Sequence, residues 1–311
     1  MLIRQLDNNR LEIRAPAKVN LFLEVLGKRP DGYHNINSLF QAVSLYDTLE
    51  FSVTDRPGVS VNLVGDRVVS SGDTEIMTWD KQVPLGNDNL ICRAYHIMRR
   101  EFGLAHGLKV VLDKQIPVAA GLGGGSADGA AAIIACNLLF GLDLTRAQRA
   151  QLSLEIGSDL PFFFSGGQAL VSGRGEVVEP VEVPTDYTML LVNPGELVST
   201  AEAYRLLKRD LTNRRQPFTL APCRDVSEFI AALRKTGNDF EQVLGASYPD
   251  LDRIRDVLLQ AGAVLTRLSG SGPTMFALFV DTPAPGRDAT DDWGSWRLFT
   301  VEPITWPLEV V

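Results

Sequence analysis

The stretch that most constrains this chain is Pro117-Val118-Ala119-Ala120-Gly121-Leu122-Gly123-Gly124-Gly125-Ser126-Ala127-Asp128. It joins an alternating apolar run at 108–113 to an Ala-rich segment that begins at Gly129. Four glycines without Cβ atoms let a backbone fold tightly around a ligand. A helix that starts just beyond them aims free N–H groups and its positive dipole end at the same point. Strand, glycine turn and helix in that order form a cradle for a polyphosphate, whereas a flexible Gly-rich linker is seldom framed by two regular elements. Two common cradles fit badly. The GxxxxGK[ST] loop needs a Lys before its hydroxyl residue, and here Gly125 precedes Ser126 with no Lys in the loop. The dinucleotide fingerprint GxGxxG finds Gly121 and Gly123, but Ser126 fills its third position. Asp143, about twenty residues on as that motif's acid should be, sits in a turn rather than at a strand end.

A length of 311 residues suggests about two domains. The formal net charge of −8 argues against broad nucleic-acid binding, which needs many basic side chains to neutralise phosphates. A local polyphosphate site is compatible with that charge. The N-terminus lacks a basic segment followed by an apolar run, and the longest apolar stretch, 130–140, is far short of the ~20 residues that span a bilayer. A soluble, cytoplasmic protein with no membrane partner is expected. Cys92, Cys136 and Cys223 lack metal-type spacing and read as buried free thiols, and three histidines (His34, His96, His106) do not suggest a histidine-rich metal site.

No internal repeat is evident. Periodicity predicts strands near 11–14, 18–26, 42–53, 59–64, 108–113 and 161–172, with helices near 88–102, 126–140 and 145–156. Thr145-Arg146-Ala147-Gln148 fits a capping box and Gly157 a helix end. Beyond a boundary near 182 come a strand at 188–193, helices near 200–210, 225–236 and 248–261, and strands near 263–269, 273–280 and 296–302. The expectation is an α+β chain with domains 1–182 and 183–311. The stretches 65–87 and 281–295 read as loops.

Three further stretches stand out. In Ala15-Pro16-Ala17-Lys18-Val19-Asn20-Leu21-Phe22-Leu23-Glu24-Val25, alternation puts Lys18, Asn20, Phe22 and Glu24 on one face and Val19, Leu21, Leu23 and Val25 on a core face. Taken alone, a strand lysine is usually just solvated. Asp31-Gly32 is a turn that presents Tyr33 and His34 on a loop. Leu268-Ser269-Gly270-Ser271-Gly272-Pro273-Thr274 lets another segment approach closely. Asp159 follows a helix end, ahead of an apolar strand, and reads either as a turn residue or as a base held near a reacting hydroxyl.

In this order and spacing, the lysine strand and the two glycine stretches resemble the three motifs of the GHMP small-molecule kinase superfamily. The triple-Gly run ending in Ser126, together with Ala15 to Leu21 and Asp31 to His34, is most similar to the branch that acts on CDP-methylerythritol in the non-mevalonate isoprenoid route. Mevalonate and homoserine kinases typically have a double Ser after a shorter Gly run. The resemblance implies a ribosomal-protein-S5-domain-2-like N-terminal part and a ferredoxin-like C-terminal part. It also implies transfer of the ATP γ-phosphoryl group to the substrate 2-hydroxyl, with Mg2+ expected. Lys18 and Asp159 fall on the family's catalytic pair. Pro117, Val118, Ala119, Ala120, Gly121, Leu122, Gly123, Gly124, Gly125, Ser126 and Ala127 match its ATP-phosphate loop, and Asn89 and Lys114 fall near the nucleotide. Ser126 and Asp128 are alternative magnesium contacts. Asn20, Tyr33 and His34 match cytidine-contacting positions, with Tyr33 stacking on the base and Tyr204, in the segment that starts at Thr200, on its opposite face. Gly129, where relatives carry Ala, costs a helix ~1 kcal/mol. Two other readings stay open: a related kinase acting on another small alcohol, and a nucleotide-binding regulator that transfers nothing.

Overall fold

The computed structural model describes residues 1–64, 70–71, 74–75, 83–84, 86–207, 216–245, 247–282, 284–286 and 293–306. Its frame is a long antiparallel hairpin of β2 (Arg10–Lys28) and β3 (His34–Thr54). On the far side of β3, β7 (Gly107–Asp113) pairs with residues 48–54 and β8 (Gln168–Gly173) with residues 36–41. The sheet is completed by β1 (Leu2–Asp7) on β2, β4 (Val59–Leu63) parallel to β7, and β9 (Val177–Pro180) on β8. A separate ribbon pairs β5 (Ser70–Ser71) with β6 (Thr74–Glu75). Packed on the main sheet are α1 (Leu90–Phe102) and α2 (Gly124–Leu139), followed by α3 (Arg146–Ser153). Thr145 and Gln148 form the expected capping box, although α3 stops at Ser153 rather than near 156.

A second antiparallel sheet has the order β11 (Leu265–Leu268), β12 (Met275–Phe279), β10 (Thr188–Asn193), β13 (Arg297–Val301). Met189 and Leu191 of β10 pack with Val19 and Leu21 of the hairpin and with Phe229 of α5 (Val226–Leu233). Their neighbours Leu190 and Val192 face the other way, toward α4 (Thr200–Leu206), α6 (Glu241–Leu244) and α7 (Asp250–Gln260). Both faces of this sheet are therefore covered. The switch from first to second sheet falls between Pro180 and Thr188, in the connection that holds residue 182. Among the described residues, no helix is long and apolar enough to cross a membrane.

Several expectations change. The segments read at 11–14 and 18–26 form one strand, whose register with β3 shifts at a bulge of β3 opposite Pro16 and Ala17 and at a second bulge, in β2 itself, between Asn20 and Phe22. The second bulge breaks the alternation. Phe22 joins the core with Val19 and Leu21, while Lys18, Asn20 and Glu24 are buried as well, because the strand is covered on both faces. The strand read at 161–172 is split: Leu160–Phe164 form a 3-10 helix with Pro161 at its start, and β8 begins only after Gly166 and Gly167, both at positive φ. Strands β1 and β9 and the start of β3 at His34 lack the apolar alternation on which the prediction relied. Cys223 is half-buried, unlike Cys92 and Cys136. Most of 65–87, together with 208–210 and 287–292, lies outside the described residues.

A buried ion cluster ties sheet to helix. The Lys114 ammonium lies between Asp47 of β3 and Asp128 of α2, 2.8 Å from the latter, and Asp47 Oδ1 also accepts from Gln115 N (2.7 Å) and Ile116 N (2.9 Å). Burial opposes the charge on Lys114, but Asp128 and Asp47 more than offset it and raise its pKa. Burial also raises Asp128, to about 8, against the pull of Lys114 and with help from the neighbouring Asp47 charge. The folded protein thus keeps a proton on Asp128 that the unfolded chain releases near 3.8. A carboxyl raised on folding lowers stability as pH climbs from the unfolded toward the folded value. Wild-type stability in urea should therefore fall relative to Asp128→Asn between about pH 4 and pH 8, and parallel profiles for the two proteins would refute the assignment.

Candidate active site

The two sheets meet at backbone contacts around the glycine loop. Lys18 N donates to Leu122 O (2.9 Å), and Thr274 N points to Ala120 O (3.4 Å). Ser269 Oγ donates to Gly121 O (2.9 Å) and accepts from Asn20 N (3.3 Å). A Cβ on Gly121, whose φ is +76°, would lie 2.1 Å from Ser269 O. The Leu268–Thr274 stretch thus sits directly on the loop, which is the close approach its small residues allow.

A cleft of about 920 Å³ opens along this seam, lined from both parts of the chain. At one end, Ala119, Gly121 and Gly123 adopt positive φ in alternation, and α2 begins at Gly124, two residues earlier than expected. Alternating backbone hands turn successive N–H groups into a concave anion nest. The first helical bond within α2 is Ala127 N to Gly123 O (2.9 Å). The amides of Gly124, Gly125 and Ser126 precede it, as the free donors of a helix start do. The glycines serve the protein as well as a ligand. A Cβ on Gly123 would meet Lys18 Cγ at 2.9 Å, and one on Gly124 would meet Ile116 at 2.9 Å and Lys114 Nζ at 3.0 Å, whereas Gly125 is exposed on the cleft. Gly129 lets Leu90 and Leu160 pack onto α2, since a Cβ there would be 3.1 Å from both.

Lys18 and Asp159 occupy the middle. Lys18 Nζ lies 3.4 Å from Asp159 Oδ2, with side chains 4 % and 35 % exposed, so the carboxylate faces the cleft while the ammonium is held behind it. Lys18 Nζ also donates to Asn20 Oδ1 (2.5 Å) and sits 4.3 Å from the centre of the Phe40 ring. Asn20 in turn donates to Ser38 Oγ (3.0 Å). Asp159 precedes the 3-10 helix without forming a side-chain cap.

At the other end, the His34 ring stacks on Tyr204, with centroids 4.9 Å apart and planes 18° from parallel, and Tyr204 meets Phe240 edge-on at 4.9 Å. Tyr33 carries the Arg174 guanidinium over its ring at 4.9 Å. Burial, then the Lys28 charge, lowers the His34 pKa, which favours a neutral imidazole that can both donate and accept. Burial, followed by the Asp159 charge, pushes the Tyr204 phenol up to about 12. Thr200 and Ser271 share a hydrogen bond of 2.9 Å across this rim.

Asn89 and Lys114 line the cleft wall but are committed to the fold. Asn89 caps α1 through Ile91 N (2.8 Å) and donates to Pro84 O (2.6 Å). The Lys114 ammonium is held by Asp47 and Asp128, and Asp128, although 4 % exposed, lines the cleft as Ser126 does. Sequence reasoning missed Asp47, Ser38, Arg174 and Phe240. Asp47 and Ser38 sit inside β3, and nothing local marks their long-range partners.

Models of the GHMP kinases N terminal domain and the GHMP kinases C terminal domain match residues 89–167 and 206–295. The chain is 36 % identical over 274 residues to a 4-diphosphocytidyl-2-C-methyl-D-erythritol kinase of Thermoanaerobacter pseudethanolicus, covering 88 % of each chain. It is 39 % identical over 272 residues to the kinase of the same name from Pelotomaculum thermopropionicum, covering 86 % of this chain and 88 % of that one. A crystal structure of 4-(cytidine 5'-diphospho)-2C-methyl-D-erythritol kinase matches with a TM-score of 0.71 at 28 % identity, over 95 % of this chain and 100 % of that one. A homoserine kinase from Cytophaga hutchinsonii shares the fold, with a TM-score of 0.64 at 19 % identity over 98 % of both chains. With a glycine cradle, a lysine–aspartate pair and an aromatic recess along one cleft, the chain belongs to the GHMP kinases and, within them, to the 4-diphosphocytidyl-2-C-methyl-D-erythritol kinase family.

Proposed function

We propose that this protein transfers the γ-phosphoryl group of ATP to the 2-hydroxyl of CDP-methylerythritol, the kinase step of the non-mevalonate isoprenoid route. The observation that carries this reading is the Lys18–Asp159 pair, 3.4 Å apart, between the amide cradle and the His34–Tyr204 recess. Phosphoryl transfer asks a protein mainly to position its reactants and stabilise charge. The cradle at 117–127 holds the ATP phosphates through backbone amides and the helix start. Asp159 accepts the proton of the 2-hydroxyl as that oxygen bonds to the γ-phosphorus and the bond to the β–γ bridging oxygen breaks, releasing ADP. Lys18, steadied by Asn20, orients Asp159 and the attacking oxygen. Among the described residues no group of three or more His, Cys, Asp or Glu could cage a metal. Magnesium would then be carried largely by the phosphates, with Ser126 or Asp128, both on the cleft wall, as its protein contact. Such an ion neutralises charge on the transferring phosphates.

At the far end, Tyr33, His34, Thr200 and Tyr204 hold the cytidine. The neutral His34 imidazole can pair with the polar edge of cytosine, and an aromatic ring supplies a stacking face. His34 covers one face of Tyr204 in the structure, so a base stacked on that face would have to displace the imidazole.

Purified protein with magnesium and ATP should release one ADP per CDP-methylerythritol phosphorylated and should not turn over mevalonate or homoserine. The opposite preference would favour a related kinase, and no turnover of any alcohol a silent regulator. Asp159→Asn should lower kcat by about 10²–10⁴ with ATP affinity retained, and a folded variant with full activity would rule out Asp159 as the proton acceptor. Gly121→Ala, by driving a methyl toward Ser269 O, should weaken ATP binding at least about tenfold. Calorimetric titration with a nonhydrolysable ATP analogue reads this directly, and an unchanged affinity would refute it.

A further inference from the structure

We infer that Asn238 is a positioning residue for nucleotide binding, because it fixes the 268–270 segment that braces the phosphate loop. The inference rests on the reading that the 117–127 loop holds ATP. Asn238 lies in the short connection between α5 and α6, lines no part of the cleft and is 3 % exposed. Every hydrogen-bonding atom of its carboxamide is used. Nδ2 donates to Leu268 O and to Gly270 O, both at 2.8 Å, and Oδ1 accepts from Phe240 N at 3.0 Å. A flipped amide would set its oxygen against two carbonyls, so the orientation is determined.

The backbone beside this amide is anchored to the catalytic strand. Leu23 N donates to Gly237 O (2.9 Å), Asp239 N donates to Leu23 O (3.0 Å), and Val25 N donates to Asp239 Oδ2 (2.7 Å). Strand β2, which carries Lys18 and Asn20, therefore sets where the carboxamide stands. From there its two donors set the height of Leu268 and Gly270. Gly270, at φ +57°, rests against Gly121: a Cβ on it would be 3.2 Å from Gly121 O and 3.2 Å from Asn20 Oδ1. Ser269, between the two carbonyls that Asn238 holds, makes the hydrogen bonds to Gly121 O and Asn20 N. The chain of contacts thus runs from β2 through Asn238 to Leu268–Gly270 and back onto the phosphate loop. No link is a side chain that touches ligand.

Loss of the two donors leaves two buried carbonyls without this partner, a cost that the segment relieves by shifting toward other donors. Such a shift moves Ser269 off Gly121 O and loosens the anion nest before it reaches Asp159, whose own support comes from the 3-10 helix at 160–164. The first property to change is then affinity for the nucleotide.

The test is calorimetric titration of a nonhydrolysable ATP analogue with magnesium into the full chain and three variants. Asn238→Asp keeps the shape and the acceptor for Phe240 N but removes both donors, and Asn238→Ala serves if the added carboxylate prevents folding. Val257→Ala in α7, buried on the outer side of the second sheet away from the cleft, controls for general destabilisation. The expected result is an affinity about tenfold weaker in the folded Asn238 variants, with Val257→Ala equal to wild type at a similarly reduced Tm. Wild-type affinity in both Asn238 variants, or losses that track Tm across all three proteins, would overturn the inference. Should the wild-type protein bind the analogue yet fail to phosphorylate CDP-methylerythritol, the proposed acceptor falls while the role of Asn238 is still read from the titration.

Discussion

The seating of one backbone on another at Gly121 and Ser269 is the constraint on which the rest of the cleft depends. A side chain at Gly121 would lie 2.1 Å from a carbonyl oxygen, so the two parts of the chain can meet there only across a glycine. That contact brings the second sheet's loop to the phosphate cradle, and Asn20 N shares the same serine hydroxyl with it. The glycine cradle, the strand that carries Lys18 and the Ser271 rim of the His34–Tyr204 recess are thereby fixed relative to one another by main-chain geometry. Main chain is less adjustable than side chains, which suits a reaction whose rate rests on holding two substrates in line.

Charge is arranged with similar economy. The chain carries a net −8 yet handles anionic substrates, and the cations deepest in the cleft are both balanced by protein carboxylates: Lys18 by Asp159, and Lys114 by Asp47, with Asp128 hydrogen-bonded beside it. An unpaired buried ammonium would be costly in the absence of ligand. Backbone amides and a helix start attract phosphate without carrying net charge, so the cradle remains stable when empty. The Asp47–Lys114–Asp128 cluster also secures the two ends of the glycine segment, since Lys114 precedes it and Asp128 closes it.

Much of the fold was legible because its signals are local. The capping box at Thr145 and Gln148, the strand at 107–113 and the helix that follows the glycines obey short-range rules. The cradle was legible for the same reason, through residue types at fixed spacing, whereas Lys18 and Asp159 were singled out as a pair only by the resemblance to the GHMP kinases. The failures were equally physical. Alternation in β2 assumed one solvated face, but α2 on one side and the second sheet on the other bury both, and the bulge at Asn20–Phe22 turns Phe22 inward. Three consecutive phenylalanines imitate a buried strand, whereas Pro161 and the paired glycines make a 3-10 turn that presents Asp159.

The amino-acid sequence by itself determined which chemistry is available: a helix-headed glycine cradle, a lysine and aspartate of the right kinds, and aromatic residues able to meet a base. Tertiary structure alone decided which of these act together. Lys18 and Asp159 come within 3.4 Å although 141 positions separate them in the chain, the His34 ring lies on Tyr204, and Lys114 is held by Asp47 and Asp128 from other elements. Asn238, featureless in sequence, becomes a brace because β2 and the 268–270 segment converge on it. Hydrogen bonds and ion pairs reach only a few ångströms, so a residue's partners are set by which strands and loops the fold brings together, and no local pattern encodes that.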